Sequence, residues 1–326
     1  MRNPENHRVL VSGLGSIGRR HLQNLMSLGV ANIALHTTGK GTISDPLPDL
    51  ESFTDLSHAL DKFDPTEVFV CGPSHLHSIN TIQSLQSGAN VFVEKPLAIS
   101  NVQLDDIASN LEQRPGSLMV GYMLRFHPIL NRVKALIDER AIGTLVHIRS
   151  EWGEYLPDWH PWEDYRATYA AQKEMGGGPS LTLSHEIDLA RWFLGELTLV
   201  GSSSNRSSGL EIDTEHGIDM LLKSDRGATA NLHMDYYQRP PARRTEFVGT
   251  DGRISFDYYN VRAEVFKSNT SEPVEVLDMS DSFDRNMMFL DEIKYFFNCL
   301  QNAESPKPGF EDGKQVALLA LQAANS

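Results

Sequence analysis

Val9-Leu-Val-Ser-Gly-Leu-Gly-Ser-Ile-Gly-Arg-Arg-His21 is the stretch from which the fold is read. Val9, Leu10 and Val11 make a short apolar run of strand type. The chain then turns on Gly13, Gly15 and Gly18, spaced G-x-G-x-x-G, into a helical pattern carried by Leu22, Leu25 and Met26. Each glycine has a separate physical task. The first permits a tight strand-to-helix turn, the second lets a pyrophosphate approach the backbone, and the third lets the helix pack close to the strand. The helix start at Ser16 and Ile17 offers unpaired N–H groups and a partial positive charge to phosphates. Because the glycines follow a strand and open a helix, the expectation is a dinucleotide-binding turn.

Outward from that turn, Asn32 to His36 reads as a second strand. A turn that prefers NAD usually has an acidic residue roughly 20 residues past the glycines, to hold the ribose 2′-hydroxyl. Here the strand runs into His36-Thr-Thr-Gly-Lys-Gly-Thr42, with no carboxylate before Asp45. Thr37, Thr38 and Lys40 suit a 2′-phosphate, so the expected cofactor is NADP, with NAD the alternative. Glu67 to Val70 is a third strand that stops at Gly72-Pro73. A helix follows from about His75 to Ser87, then the strand Asn90 to Glu94 and a helix capped by Ser100. Ser117 to Leu124 reads as one more strand. This alternation predicts a doubly wound parallel sheet over residues 1–122, with Gly72, Pro73, Glu94 and Lys95 at strand ends beside the cofactor.

After Tyr122 the pattern changes. His127 to Gly143 reads as an amphipathic helix and Leu145 to Glu151 as a strand, followed by an aromatic, polar stretch from Trp152 to Met175. Beyond a helix at about His185 to Leu194 come hairpins: Gly217–Leu222 with Thr229–Tyr237, and Arg244–Val248 with Arg253–Tyr258 around Thr-Asp-Gly252. Helices at about Phe283 to Gln301 and Gly313 to Ala324 close the chain. Residues 123–326 are therefore expected to form an α+β domain on an open, mainly antiparallel sheet. One face of that sheet, with Met220, Leu222, Val265 and Phe266 as candidates, is expected to be covered by a second subunit in a homodimer or homotetramer.

Composition narrows the function classes. The net charge of −14 argues against nucleic acid or an anionic membrane as partner. Cys71 and Cys299 are too few and too far apart for a disulfide scaffold or a cysteine-rich zinc site, and no metal is expected. The opening seven residues lack the apolar core of a signal peptide. No apolar run approaches the ~20 residues of a membrane span, so the expected compartment is the cytoplasm.

Three groups of residues carry the chemistry. Lys95, at a strand end, can hydrogen-bond a substrate hydroxyl and stabilise an oxyanion. In Gly176-Gly-Gly-Pro-Ser-Leu-Thr-Leu-Ser-His-Glu-Ile-Asp188, His185 suits proton exchange with an alcohol near neutral pH. Asp188, on the same helix face, can orient it. Trp152, Tyr155, Arg166, Tyr169 and Lys173 supply the aromatic faces, hydroxyls and cations that a polyhydroxylated small molecule needs.

Taken together, Gly13-x-Gly15-x-x-Gly18-x-x-His21, Cys71-Gly-Pro-x-x-x-His77, Glu94-Lys95-Pro96, Tyr122-x-x-Arg125-Phe-His-Pro128 and Gly176-Gly-Gly…His185-x-x-Asp188 resemble the Gfo/Idh/MocA oxidoreductases over essentially the whole chain. The resemblance implies a Rossmann domain, a C-terminal α/β domain with an open sheet, and NAD(P)-dependent oxidation or reduction of sugars and related alcohols. It also implies that Cys71, Gly72, Pro73, His77 and Glu94 line the cofactor and that Tyr122 and Arg125 line the substrate. By the same motifs, Lys95 would contact nicotinamide ribose and substrate, and His185 would exchange the alcohol proton. Thr182 stands where many members have Asp, so Asp188 or Glu186 would have to replace that carboxylate. Asp164-Tyr-Arg…Lys173-Glu…Gly178 resembles a branch tied to surface-sugar biosynthesis. Two other readings stay open: epimerisation or elimination with retained NAD(P), and a non-catalytic NAD(P)/sugar sensor.

Overall fold

The structure is a computed structural model and describes residues 7–39, 43, 45–112, 114 and 117–325; Lys40 lies outside them. The chain divides into two compact units, 1–122 with 289–317 and 123–288 with 318–326.

In the first unit, β1 (Arg8–Ser12), β2 (Asn32–His36), β3 (Ser52–Phe53), β4 (Glu67–Val70), β5 (Asn90–Glu94) and β6 (Leu118–Gly121) form one sheet in the order β3-β2-β1-β4-β5-β6, parallel throughout. Val9–Val11, Val68–Val70 and Val91–Val93 are fully buried, as strands covered on both faces must be. The strand order reverses at β1, so the carboxyl ends of β1 and β4 flank the crevice in which such sheets bind ligands. Helices α1 (Ser16–Ser27), α2 (Leu56–Phe63), α3 (His77–Gln86) and α4 (Asn101–Leu111) cross between strands. Ser100 caps α4, its hydroxyl accepting from Gln103 N–H at 3.3 Å. Sequence reasoning missed β3 and α2. The signal for α2 was present: Asp55 accepts from His58 N–H at 2.7 Å, and Leu56, Ala59 and Leu60 are buried. The strand expected over 117–124 stops at Gly121, and a 3-10 turn follows at Met123–Phe126.

The second unit holds α5 (Pro128–Asp138), β7 (Leu145–Gly153), α6 (Pro179–Thr182), α7 (His185–Leu194), β8 (Leu197–Asn205), β9 (Gly217–Ser224), β10 (Thr229–Asp235), β11 (Ala242–Gly249), β12 (Gly252–Asp257), β13 (Arg262–Lys267) and β14 (Glu275–Asp278). The eight strands run β14-β13-β12-β11-β7-β10-β9-β8, antiparallel except for the β7–β10 pair. Sequence reasoning missed β8 and β14. Its assignment of the sheet's faces needs correcting. Met220, Leu222 and Val265 lie on the covered side, 3%, 0% and 2% exposed. The opposite side carries a row of charges set by strand register: Asp219, His233, Glu151, Arg244, Asp257, Arg262 and Asp278. The alternation of β9 explains it, since Asp219 and Lys223 must face away from Met220 and Leu222. Phe266 does lie on the charged side, under the Arg253 guanidinium at 3.9 Å. Hydrogen bonds to Asp235 and Asp219 raise the His233 pKa to about 9, against its partial burial, so His233 extends the row as a cation.

The last helices are α8 (Asn286–Gln301) and α9 (Phe310–Ala324). The segment 289–317 clusters with the first unit, while 123–288 and 318–326 form the second. The reason is packing. Phe289, Phe296 and Phe297 are spaced to share one helix face, and their rings meet His21, Phe69 and Phe92 at centroid distances of 5.9, 6.0 and 5.8 Å for the pairs Phe289–His21, Phe296–Phe69 and Phe296–Phe92. Each such burial contributes about 1.5–3 kcal/mol. Among the described residues no helix is long and apolar enough to cross a membrane, and no group of three or more His, Cys, Asp or Glu is arranged to hold a metal ion.

Candidate functional site

The glycine turn is built as its spacing requires. Gly13 has φ +95°, and a Cβ there would lie 2.4 Å from Gly72 N. A Cβ on Gly18 would lie 1.9 Å from the Gly13 carbonyl oxygen and 3.3 Å from Cys71 Cβ. Gly15 is different: a Cβ there meets nothing within 4 Å, so open space lies beside the start of α1. No side chain caps that start, and its first turn carries no acidic residue. Open space, uncapped N–H groups and the helix dipole fit a dinucleotide pyrophosphate, next to Gly15, Ser16 and Ile17. Replacing Gly15 by Ala is expected to leave stability within about 0.5 kcal/mol of the native value and to weaken cofactor binding. Replacing Gly18 by Ala is expected to cost about 1–3 kcal/mol through overpacking. Thermal melts and cofactor titrations of the two variants separate these outcomes.

At the carboxyl end of β2 lies His36, which is buried with Nδ1 2.8 Å from Ser12 Oγ; its pKa is lowered by burial, against the charge of Asp55. Thr37 is half-buried and accepts from Gly39 N–H at 3.2 Å, and Thr38 is exposed. Arg19 donates to the Leu14 and Ile43 carbonyls at 3.1 and 3.2 Å, linking the glycine turn to the segment after β2.

The loop after β5 is clamped from two sides. Glu94 is buried and accepts from His21 Nε2 at 2.8 Å and from Lys95 N–H at 3.3 Å. Burial alone would raise its pKa. The hydrogen bond from His21, with the positive charge of Lys95 nearby, outweighs that and holds the carboxyl below its ordinary value. His77 lies 2.7 Å from the Pro96 carbonyl through Nδ1 and 2.8 Å from the Gly72 carbonyl through Nε2. Burial lowers its pKa, and the neutral ring donates to one of the two at a time. His77 therefore ties the Lys95-Pro96 loop to the Gly72-Pro73 turn. Cys71 is buried behind Gly18, and burial pushes its thiol well up, with the carboxylates of Glu94 and Glu292 adding to the shift. Lys95 is half-buried.

In the second unit, the residues around His185 have fixed partners. The glycine run makes room for protein groups: a Cβ on Gly178 would lie 2.5 Å from Glu215 Oε1, and one on Gly177 would lie 2.5 Å from the Ala170 carbonyl. Glu215 accepts from Ser180 N–H and Oγ at 3.1 and 2.6 Å. Thr182 is buried beside the Tyr236 phenol. His185, 4% exposed, opens α7 with its ring 5.9 Å from Trp152. Behind Trp152, the Arg243 guanidinium stacks at 3.8 Å and donates through Nε to Glu186 at 2.7 Å; Glu186 also accepts from Ser150 Oγ at 2.5 Å. Asp188 is gripped by Arg125, Nε and Nη2 donating to its two oxygens at 3.0 and 2.7 Å. Glu186, named with Asp188 as a possible replacement for the family carboxylate, is thus held by Arg243. Sequence reasoning missed Arg243 and Tyr236; nothing in their local sequence marks either as a neighbour of the His185 turn.

The aromatic stretch separates into inner and outer residues. Tyr122, in the first unit, is fully buried. Trp152 is 8% exposed, and Tyr155 lies half-buried under the Arg239 guanidinium at 3.9 Å. Tyr169 borders a small niche with Trp159, His160 and Tyr165. Arg166 is exposed and bonded to Asp164 and Glu211, and Lys173 is exposed. His127 is buried among Phe256, Tyr258 and Phe283, and burial with the Arg243 charge lowers its pKa to about 3.

Known protein families match both parts of the chain. Residues 7–122 match the oxidoreductase family with NAD-binding Rossmann fold, and residues 130–255 match the GFO/IDH/MocA C-terminal domain. The chain is 24% identical over 339 residues to myo-inositol 2-dehydrogenase of Thermotoga maritima, covering 98% of this chain and 96% of that protein. It is 28% identical over 225 residues to 2,7-anhydro-N-acetylneuraminate hydratase of Mediterraneibacter gnavus, covering 66% and 57%. The solved levoglucosan dehydrogenase in complex with NADH and levoglucosan shares the fold, with a TM-score of 0.84 at 19% identity over 98% of this chain and 96% of that one.

Proposed function

Because the chain belongs to the Gfo/Idh/MocA oxidoreductase family, we propose that it moves a hydride between NAD(P) and a secondary hydroxyl or carbonyl of a sugar or sugar derivative. The observation that carries this reading is the open, uncapped glycine turn in a chain that also fixes the Lys95 loop and a buried His185. When bound, the nicotinamide supplies the hydride acceptor or donor. Lys95 donates to the substrate oxygen and steadies its developing negative charge, and His185 takes or returns the hydroxyl proton. Asp188, fixed by Arg125, orients His185 from the same helix face. Trp152, Tyr155 and Tyr169 offer aromatic and hydroxyl surface to the sugar. The pattern from Asp164 to Gly178 suggests surface-sugar biosynthesis as the setting, and two free, buried cysteines suit the cytoplasm. The test is a panel of myo-inositol, levoglucosan, D-xylose, nucleotide sugars and sugar acids with NAD or NADP, read by reduced cofactor. Accumulation with one member supports the proposal, and none with any opposes it.

NADP is the proposed cofactor, because β2 ends in His36-Thr37-Thr38 without a carboxylate. Lys40→Ala is then expected to weaken NADP by about 1–3 kcal/mol and to leave NAD nearly unchanged. Equal losses for both cofactors in titration, or a native preference for NAD, would overturn it. A second reading has a specific observation behind it: one relative is named a hydratase. Transient oxidation with retained cofactor would acidify the neighbouring carbon and permit elimination or epimerisation, and no free reduced cofactor would accumulate. We further propose a homodimer or homotetramer through the charged side of the second sheet, supported by its alternating row of charges. Light scattering at micromolar concentration checks it, and a monomer would count against it.

A further inference from the structure

His21 completes the glycine motif. It projects from α1 into an aromatic box, 0% exposed, with the rings of Phe69, Phe92 and Phe289 at 5.6, 5.1 and 5.9 Å. Among the described residues its Nδ1 is buried without a hydrogen-bond partner, and its one polar engagement there is Nε2 on Glu94 Oε1 at 2.8 Å. A polar pair in such a box is costly, and an apolar pair of similar volume would serve packing at least as well. Where the pair ends explains its presence. The other oxygen of Glu94 accepts from the Lys95 backbone N–H at 3.3 Å. Room for that carboxylate is kept by Gly121, whose added Cβ would lie 3.2 Å from Glu94 Cδ.

We infer that His21 and Glu94 are positioning residues for Lys95: the relay from His21 to the Lys95 peptide N–H ties the lysine's backbone to the same helix whose N-terminus receives the pyrophosphate. One rigid element, α1, then fixes the register between the cofactor's phosphates and the lysine that meets the substrate. His77 completes the clamp by anchoring the next carbonyl, that of Pro96. Neither His21 nor Glu94 need touch the substrate. The inference rests on the reading of Lys95 as the donor to the substrate oxygen.

The test uses the intact chain with oxidised cofactor bound, NADP+ or NAD+ as the wild type prefers, and four variants: His21→Leu, His21→Gln, Glu94→Gln and Lys95→Ala. Amide exchange read by NMR should show the Lys95 N–H opening about tenfold faster in His21→Leu, while the amides of β1 and β4 keep their protection. Affinity for that cofactor should change little. Single-turnover hydride transfer, with the panel alcohol that the wild type oxidises, should fall about 10–100-fold through misplacement of the lysine. His21→Gln, whose amide still donates to Glu94, should recover most of that loss. In a Lys95→Ala background the His21→Leu loss should vanish, because a residue acting through Lys95 has nothing left to position. Were His21→Leu not to fold, Glu94→Gln carries the same comparison. Exchange rising uniformly through the sheet, or a His21→Leu loss that persists in full without Lys95, would overturn the inference. If the wild type oxidises no alcohol, the proposed function fails, and local exchange at Lys95 still decides whether the clamp exists.

Discussion

Lys95→Ala and His185→Asn are each expected to lower kcat by about 10²–10⁴-fold, the range for loss of a general acid–base group, with cofactor affinity little changed. The separation follows from the structure of the first unit. The proposed pyrophosphate site is backbone, the open start of α1 beside Gly15, and neither side chain is part of it. Asp188→Asn should cost less in kcat than either, because the role proposed for Asp188 is to position His185 and not to touch the substrate. Thr182→Ala should cost least, since the proposed mechanism gives Thr182 no part in the proton transfer. Single-turnover rates and cofactor titrations on the four variants give the ranking. A His185→Asn enzyme with near-native hydride transfer would remove His185 from the mechanism and leave Lys95 or water to carry the proton.

The second large effect is on stability. Glu186 and Arg243 are 0% and 3% exposed, and Glu186 takes donors from Arg243 and Ser150. Glu186→Leu leaves a buried guanidinium without its carboxylate and is expected to cost about 3–5 kcal/mol. The double variant Glu186→Leu with Arg243→Met should recover most of that, because the cost lies in an uncompensated charge and not in lost attraction. All four tryptophans, Trp152, Trp159, Trp162 and Trp192, lie in the second unit, so urea unfolding followed by tryptophan fluorescence reports on that unit. A double variant as unstable as Glu186→Leu alone would show that the pair's geometry, and not its charge balance, holds α7 in place.

What the sequence made legible was local. The glycine turn, the strand-helix alternation to Gly121 and the hairpins around Gly227 and Gly252 are set by nearby residues with their own physical signatures. The rest depends on which surfaces meet. The phenylalanines of α8 mark a buried face but not which sheet it covers, and the first unit takes it. Apolar residues at 220, 222 and 265 were assigned to an interface; the same alternation, followed strictly, puts them in the core and leaves charges outside. The partners of the site residues were hidden for a related reason. Arg125 and Asp188 are 63 positions apart, and Glu186 and Arg243 are 57 apart, so no spacing rule joins them.

The claim at the centre of the account is that a hydride passes directly between a carbinol carbon and nicotinamide C4. An alcohol from the active panel, deuterated at the carbon that is oxidised, tests this most directly, with the reduced cofactor recovered and read by mass spectrometry. The account predicts one deuterium on the nicotinamide of the released cofactor, none from solvent, and its near-absence on the same timescale with Lys95→Ala. Deuterium that stays on the sugar or washes into solvent, with no labelled cofactor released, would contradict it.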